Sequence, residues 1–292
     1  MYLKKRYYLG IIVTFILGVI LGANLGRENN RVSDTKSDEN TMLLKTESYE
    51  DGKASGIQWL INSGEAKALR YQTYNIATER IKQLAKEHEG EENLAVILDI
   101  DETVLNNNYY LAKKFLGYDD FKDMSFSEWF REESSTLIEG AKSFLNTANE
   151  LGIEIFYVTN RSYEVEEESI NNLLKFNLPY ADEEHVLTAN ETSDKIFRID
   201  SIRENHNVLM YLGDNLGDFP EEFYHKSNEE RSEIVDNIYD KFGTQYFILP
   251  NTIYGDWDKA IYDYDNSKSD EELIRLRIEA IDNYCNKAKI EN

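Results

Sequence analysis

Four short apolar runs, each closed by polar residues, constrain this chain most. They are "LAVILDID" (94–101), "IEIFYVTN" (153–160), "NVLMYLGD" (207–214) and "TQYFILPN" (244–251). A run without polar alternation is covered on both faces, as strands of a parallel sheet are. Helical stretches lie between the runs. "EGAKSFLNTANELG" stops at Gly152, which reads as a C-cap. "SNEE" at 227–230 and "SDEE" at 269–272 each set a Ser three residues before a Glu, the spacing of a capping box. Strands alternating with helices predict an α/β fold, an open and largely parallel sheet with helices on both faces. In such sheets the ligand crevice lies beyond the C-terminal strand ends. All four runs deliver their polar residues there.

The flanks carry different signals. Lys4, Lys5 and Arg6 precede an uncharged, mostly apolar run from Tyr7 to Gly26. About 20 such residues span a bilayer core. Residues 1–26 therefore read as a signal anchor, with the basic flank in the cytoplasm and the body outside. Leu21 is a poor residue at the −3 position for cleavage at Ala23. A cleaved, secreted form is the alternative. Residues 27–52 are polar and aperiodic and read as a flexible tether. From "ASGIQWLINSGEAKALRYQ" onward the apolar spacing predicts one or two helices ending near Gly90. The remaining chain, 53–292, is expected to form one domain, with a core at about 91–265. The net charge is −23, which argues against nucleic acid as a partner. The single cysteine, Cys285, excludes a disulfide within the chain.

The chemistry concentrates at the strand ends. Asp99 and Asp101 close the first run, and Asp214 and Asp218 follow the third in "GDNLGD". Thr159, Asn160 and Arg161 close the second, and Lys195 lies in "TSDKIFR". A calcium loop beginning at Asp99 would need Gly and Glu where Val104 and Tyr110 stand. Four carboxylates on one sheet edge repel one another unless a cation sits among them. Hard oxygen ligands without His or Cys select Mg²⁺. The set Asp99, Asp101, Asp214 and Asp218 is the candidate metal site.

"ILDIDETVL", "VTNR", Lys195 and "GDNLGD" resemble, in order and spacing, the four motifs of the haloacid dehalogenase (HAD) superfamily. "QWLINSGEAKALRYQTYNIA", "EGAKSFLNTANELGIEIFYVTNR" and "FGTQYFILPNTIYGDWDKAIY" extend the resemblance to the class C "DDDD" acid phosphatases. That family includes surface-anchored 5′-nucleotidases. The resemblance covers about residues 55–265. It implies a HAD-like Rossmannoid sheet and a Mg²⁺-dependent phosphomonoester hydrolase acting outside the cytoplasm. It makes Asp99 the nucleophile and Asp101 the general acid and base. Asp99, the Asp101 backbone carbonyl and Asp214 would hold the metal. Asp218 would hold metal-bound water or the loop. Thr159 and the Asn160 N–H would grip phosphate, and Lys195 would add positive charge.

No large cap fits between Arg161 and Lys195. A small helical cap is expected from 106–137, including "SFSEWFREE", completed by 53–90 and the C-terminal segment. The resemblance favours Trp129 and Tyr254 as surfaces for a nucleobase, with nucleoside monophosphates as substrates. Members often carry Asp, Ser and Pro after the first motif, where this chain has "NNNYY". Sugar phosphates, phosphoproteins, or binding without catalysis on a HAD fold are the rival readings.

Overall fold

The structure is a computed structural model and describes residues 30–288. The proposed anchor at 1–26 lies outside the described residues. Among the described residues no helix is long and apolar enough to cross a membrane. The chain divides into two units, 1–45 and 46–292, and the sheet, the cap and the site all belong to the second. Residues 30–52, expected to be an aperiodic tether, are instead helical as part of α1 (Asn30–Asn62). The stretch has no proline and a single glycine, Gly52, so little opposes helix formation despite its polarity. Helix α2 (Gly64–Glu87) starts at Ser63, whose hydroxyl accepts the Ala66 N–H at 3.0 Å. That cap divides the predicted helical stretch in two.

The next segment runs from β1 (Leu94–Leu98) through a tight turn to β2 (Leu105–Asn106). It continues as α3 (Asn108–Phe115), α4 (Phe126–Arg131) and β3 (Thr136–Leu137). β2 and β3 pair antiparallel, which closes the small cap as one excursion from the first motif. Then come α5 (Ala141–Glu150), β4 (Glu154–Ser162), α6 (Glu166–Leu174) and β5 (Val186–Ala189). The chain ends with α7 (Ile196–Arg203), β6 (Asn207–Gly213), α8 (Asn228–Asn237), β7 (Tyr246–Ile248), α9 (Asp256–Lys259) and α10 (Asp270–Ala288).

Five parallel strands form the main sheet in the order β5-β4-β1-β6-β7. Four of them are the predicted runs, with β1, β6 and β7 shorter than predicted and β4 extended to Ser162. β5 has no counterpart among the predicted runs, because its four residues, three of them only half-buried, form an edge. Along β1 the side chains alternate between two cores. Val96 and Leu98 pack with Tyr74, Ile81 and Phe144 on one face. Ala95 and Ile97 pack with Ile199, Tyr211 and Phe219 on the other. Helices therefore cover both faces. The capping boxes expected at Ser227 and Ser269 are both made. A third, Ser125 with Glu128, starts α4 in the cap.

Candidate active site

β1 sits between β4 and β6, so three neighbouring strands end side by side. The Asp99 N–H donates to Leu212 O at 3.0 Å, which fixes the start of the loop after β1 against β6. The loop then turns tightly, with Val104 and Leu105 N–H both donating to Ile100 O at 2.8 Å. Glu102 takes a left-handed φ of 55°, an uncommon value for a residue with a side chain. The α2 side chain Tyr74 donates its hydroxyl to Thr103 O at 2.7 Å. Thr103 Oγ1 donates to Asp214 Oδ1 at 3.5 Å, a long bond that links the loop to the fourth motif.

Asp99, Asp214 and Asp218 meet in one cluster. Each offers an oxygen within 4.8 Å of the others. Lys195 Nζ, only 3% exposed, donates to Asp99 Oδ1 and, at 2.7 Å, to Asp218 Oδ1. Asp218 Oδ2 accepts the Asn215 N–H at 2.9 Å, and Asp214 Oδ2 accepts Asn251 Nδ2 at 2.8 Å. Gly213 makes this arrangement possible. A Cβ there would fall 2.2 Å from Asp218 Oδ2.

The electrostatics of the cluster point to a further cation. Burial foremost, opposed by Lys195 and reinforced by Asp218 and Asp101, leaves Asp99 raised to about 7. Burial raises Asp214 well above the usual carboxylate range, and Asp218 and Asp99 add to the effect. Burial alone would lower Lys195, but Asp218 and Asp99 hold it above its ordinary value. One lysine does not balance three acids. A hard divalent cation would, and every donor is a carboxylate oxygen, so the residues present fit such an ion.

Asp101 stands apart from this cluster. Its carboxylate accepts from Arg161 Nη2 at 2.8 Å and Nε at 3.0 and 3.2 Å, and from Asn107 Nδ2 at 2.8 Å. Thr159 is fully buried, and its hydroxyl accepts the Arg161 N–H at 3.1 Å. Asn160 is exposed and lines the cleft. Arg198 clamps this turn from α7, donating to Thr159 O and, at 2.8 Å, to Asn160 Oδ1. The sequence reading gave Arg161 and Arg198 no role. A basic residue closing "VTNR" at a buried strand end was the available signal for Arg161. Arg198 follows Lys195 by one helical turn, so the two share a face of α7.

A cleft of about 220 Å³ opens over these groups. Phe126, Phe130 and Tyr254 line it beside Asp99, Asp101 and Lys195. The Arg161 guanidinium lies 4.0 Å from the Phe130 ring centroid. Tyr254 meets Phe126 edge-on at 5.5 Å and donates its hydroxyl to Glu102. Tyr254 thus lines the cleft, whereas Trp129, expected beside it as a second ring surface, does not. Trp129 is 3% exposed and stacks on Tyr110 at 5.6 Å in the cap core. The α4 periodicity presents its neighbours Phe126 and Phe130 to the cleft and turns Trp129 inward, a distinction that composition alone does not make.

Comparison with known proteins gives a consistent picture. A family model described as HAD superfamily, subfamily IIIB (acid phosphatase) matches residues 24–257. Among solved structures, the class C acid phosphatase from Bacillus anthracis is similar at 33% identity and a TM-score of 0.72, covering 79% of this chain and 96% of that one. The same enzyme with tungstate bound is similar at 31% identity, with the same TM-score and coverage.

Proposed function

The chain belongs to the acid phosphatases of HAD subfamily IIIB and is a phosphomonoester hydrolase, and on that premise we propose how its residues divide the reaction. Asp99 attacks phosphorus, forming an aspartyl phosphate (a mixed anhydride) as the bond to the leaving oxygen breaks. Asp101 gives that oxygen its proton. Asp101 then takes a proton from the water that attacks the phospho-aspartate, which releases phosphate and restores Asp99. Thr159 and the Asn160 N–H hold phosphate oxygens. Lys195 fixes Asp99 and sets positive charge beside the anion. Asp99, Asp214, Asp218 and the Asp101 carbonyl would hold Mg²⁺, which supplies charge neutralisation for the bound phosphate.

The observation that carries this division is the split within one motif. Asp99 lies in the lysine and carboxylate cluster, whereas Asp101, two residues on, is held by Arg161 and Asn107. Tungstate in the similar structure is a tetrahedral oxyanion like phosphate, which supports a phosphate subsite here. Asp99→Asn should abolish turnover of p-nitrophenyl phosphate while leaving the circular dichroism spectrum unchanged. Normal turnover by the folded variant would reject the mechanism.

For substrate, we favour nucleoside monophosphates. Tyr254, Phe126 and Phe130 offer apolar ring surface beside the phosphate groups. For location, the uncharged span from Tyr7 to Gly26 supports a membrane anchor with the hydrolase outside. Protease added to intact cells should then cut the protein, and protection until lysis would reverse that topology.

A further inference from the structure

Asn107 occupies the position just before α3 (Asn108–Phe115). An Asn there ordinarily spends its side chain on the N–H groups of its own helix. Asn107 makes no such bond. Its side chain is fully buried and committed elsewhere. Oδ1 accepts from Trp129 Nε1 at 2.8 Å and from Ser135 Oγ at 2.6 Å. The indole N–H can only donate, so the carbonyl end of the amide must face it. Nδ2 is thereby aimed the other way, donating to Asp101 Oδ1 at 2.8 Å and, more weakly, to Glu102 Oε2 at 3.4 Å.

The two oxygens of Asp101 are left in different states. Oδ1 takes Asn107 Nδ2 and Arg161 Nη2, both at 2.8 Å, with Arg161 Nε at 3.2 Å. Oδ2 takes one donor among the described residues, Arg161 Nε at 3.0 Å. The single Nε hydrogen is shared and lies nearer to Oδ2, but the two donors at 2.8 Å already take both lone pairs of Oδ1 and leave one free on Oδ2. We infer that Asn107, itself locked by Trp129 and Ser135, is a positioning residue that reserves Oδ2 of Asp101 for proton transfer. This rests on the assignment of Asp101 as general acid made above. In the step concerned, the proton leaves Oδ2 for the ester oxygen as its bond to phosphorus breaks. That electron pair stays on the oxygen, and Asp101 ends as a carboxylate. Trp129 thus serves the reaction through the cap rather than by touching substrate.

The test compares kcat/KM for two substrates, since kcat/KM covers only the steps through departure of the leaving group. Glycerol phosphate leaves as an alkoxide that needs the proton. 2,4-Dinitrophenyl phosphate leaves as a stable anion that does not. Asn107→Asp keeps an acceptor for Trp129 and Ser135 but removes both N–H donors. It should lower kcat/KM for glycerol phosphate by about tenfold or more, the scale of one charge-assisted hydrogen bond, and for the dinitrophenyl ester by no more than about twofold. The double variant Trp129→Phe with Ser135→Ala frees the amide to flip and adds no charge. It should shift the same ratio in the same direction, and it decides alone if Asn107→Asp does not fold. Asp101→Asn should show the same pattern, larger. If Asp101→Asn discriminates between the esters but the Asn107 and Trp129/Ser135 variants slow both equally or neither, Asn107 only holds the fold and the inference is overturned. If Asp101→Asn itself does not discriminate, the acid assignment is wrong and the inference falls with it.

Discussion

On the sheet side of the cleft, three carboxylates and one lysine are gathered within a few ångströms and largely shielded from water. On the cap side, Phe126, Phe130 and Tyr254 face the cleft and rest on the buried core of Tyr110, Trp129 and Val165, whose polar atoms, Tyr110 Oη and Trp129 Nε1, are neutral and hydrogen-bonded. The first wall stores electrostatic tension that a cation or a phosphate relieves. The second stores none, and it holds its shape by packing. The comparison suggests a division of labour. Charge on the sheet side drives the reaction at phosphorus. Rigidity on the cap side sets the direction of the proton and the space left for the organic group.

Three measurements put this contrast at risk. The largest effect should come from removing the metal. Exhaustive chelation should take turnover to background, because ion binding of this kind supplies several kcal/mol of charge stabilisation, and Mg²⁺ should restore it. Full activity after chelation would mean that Lys195 alone balances the cluster. Next is Gly213→Ala. The new Cβ would meet Asp218 Oδ2, Cβ and Cγ at 2.2–2.5 Å, so Asp218 must move and release Lys195. A displacement of about 1 Å can cost about a hundredfold in rate, so kcat should fall on that scale. Overpacking should also cost about 1–3 kcal/mol, read from a denaturant melt. Unchanged kcat would show that the sheet wall tolerates rearrangement, contrary to its crowding. The smallest effect belongs to the cap side. Tyr254→Ala should lower kcat/KM for AMP by about tenfold more than for glycerol phosphate, the scale of one base stacked on one ring. Equal losses for both substrates would make Tyr254 a packing residue and weaken the case for nucleotides.

The two walls also differed in how far the sequence disclosed them. Asp99, Asp101, Thr159, Asn160 and Asp214 each close an apolar run, and Asp218 stands one short turn beyond Asp214, so strand burial and strand ends locate them without knowledge of the contacts. Lys195 needed its neighbours as context, but its charge type matched the acids it would face. The cap wall depends on meetings between distant short segments. Asn107 reaches Trp129 across 22 residues and Ser135 across 28, and nothing local in "NNNYY" or "SEWFREESS" announces the pairing. Trp129 was given a stacking role because an aromatic near a cleft reads the same whichever way it faces. The structure turns it inward and hands its place to Phe126 and Phe130. β5 escaped notice for a related reason, since a four-residue edge strand with three half-buried residues leaves no apolar run to find.

The order β5-β4-β1-β6-β7 has a consequence for how the enzyme comes into being. The strand bearing Asp99 pairs on one side with a strand about 60 residues later, Ala95 with Glu154, and on the other with one more than 110 residues later, Leu94 with Asn207. Each pairing must close a long loop before it is rewarded, which makes such folding slow. The β1–β4 pairing alone leaves Asp214 unplaced, and the β1–β6 pairing alone leaves Thr159 and Asn160 unplaced, so the whole site needs both. Regained turnover during refolding therefore reports the last long-range pairing, whereas helix signals, which need only local contacts, return earlier.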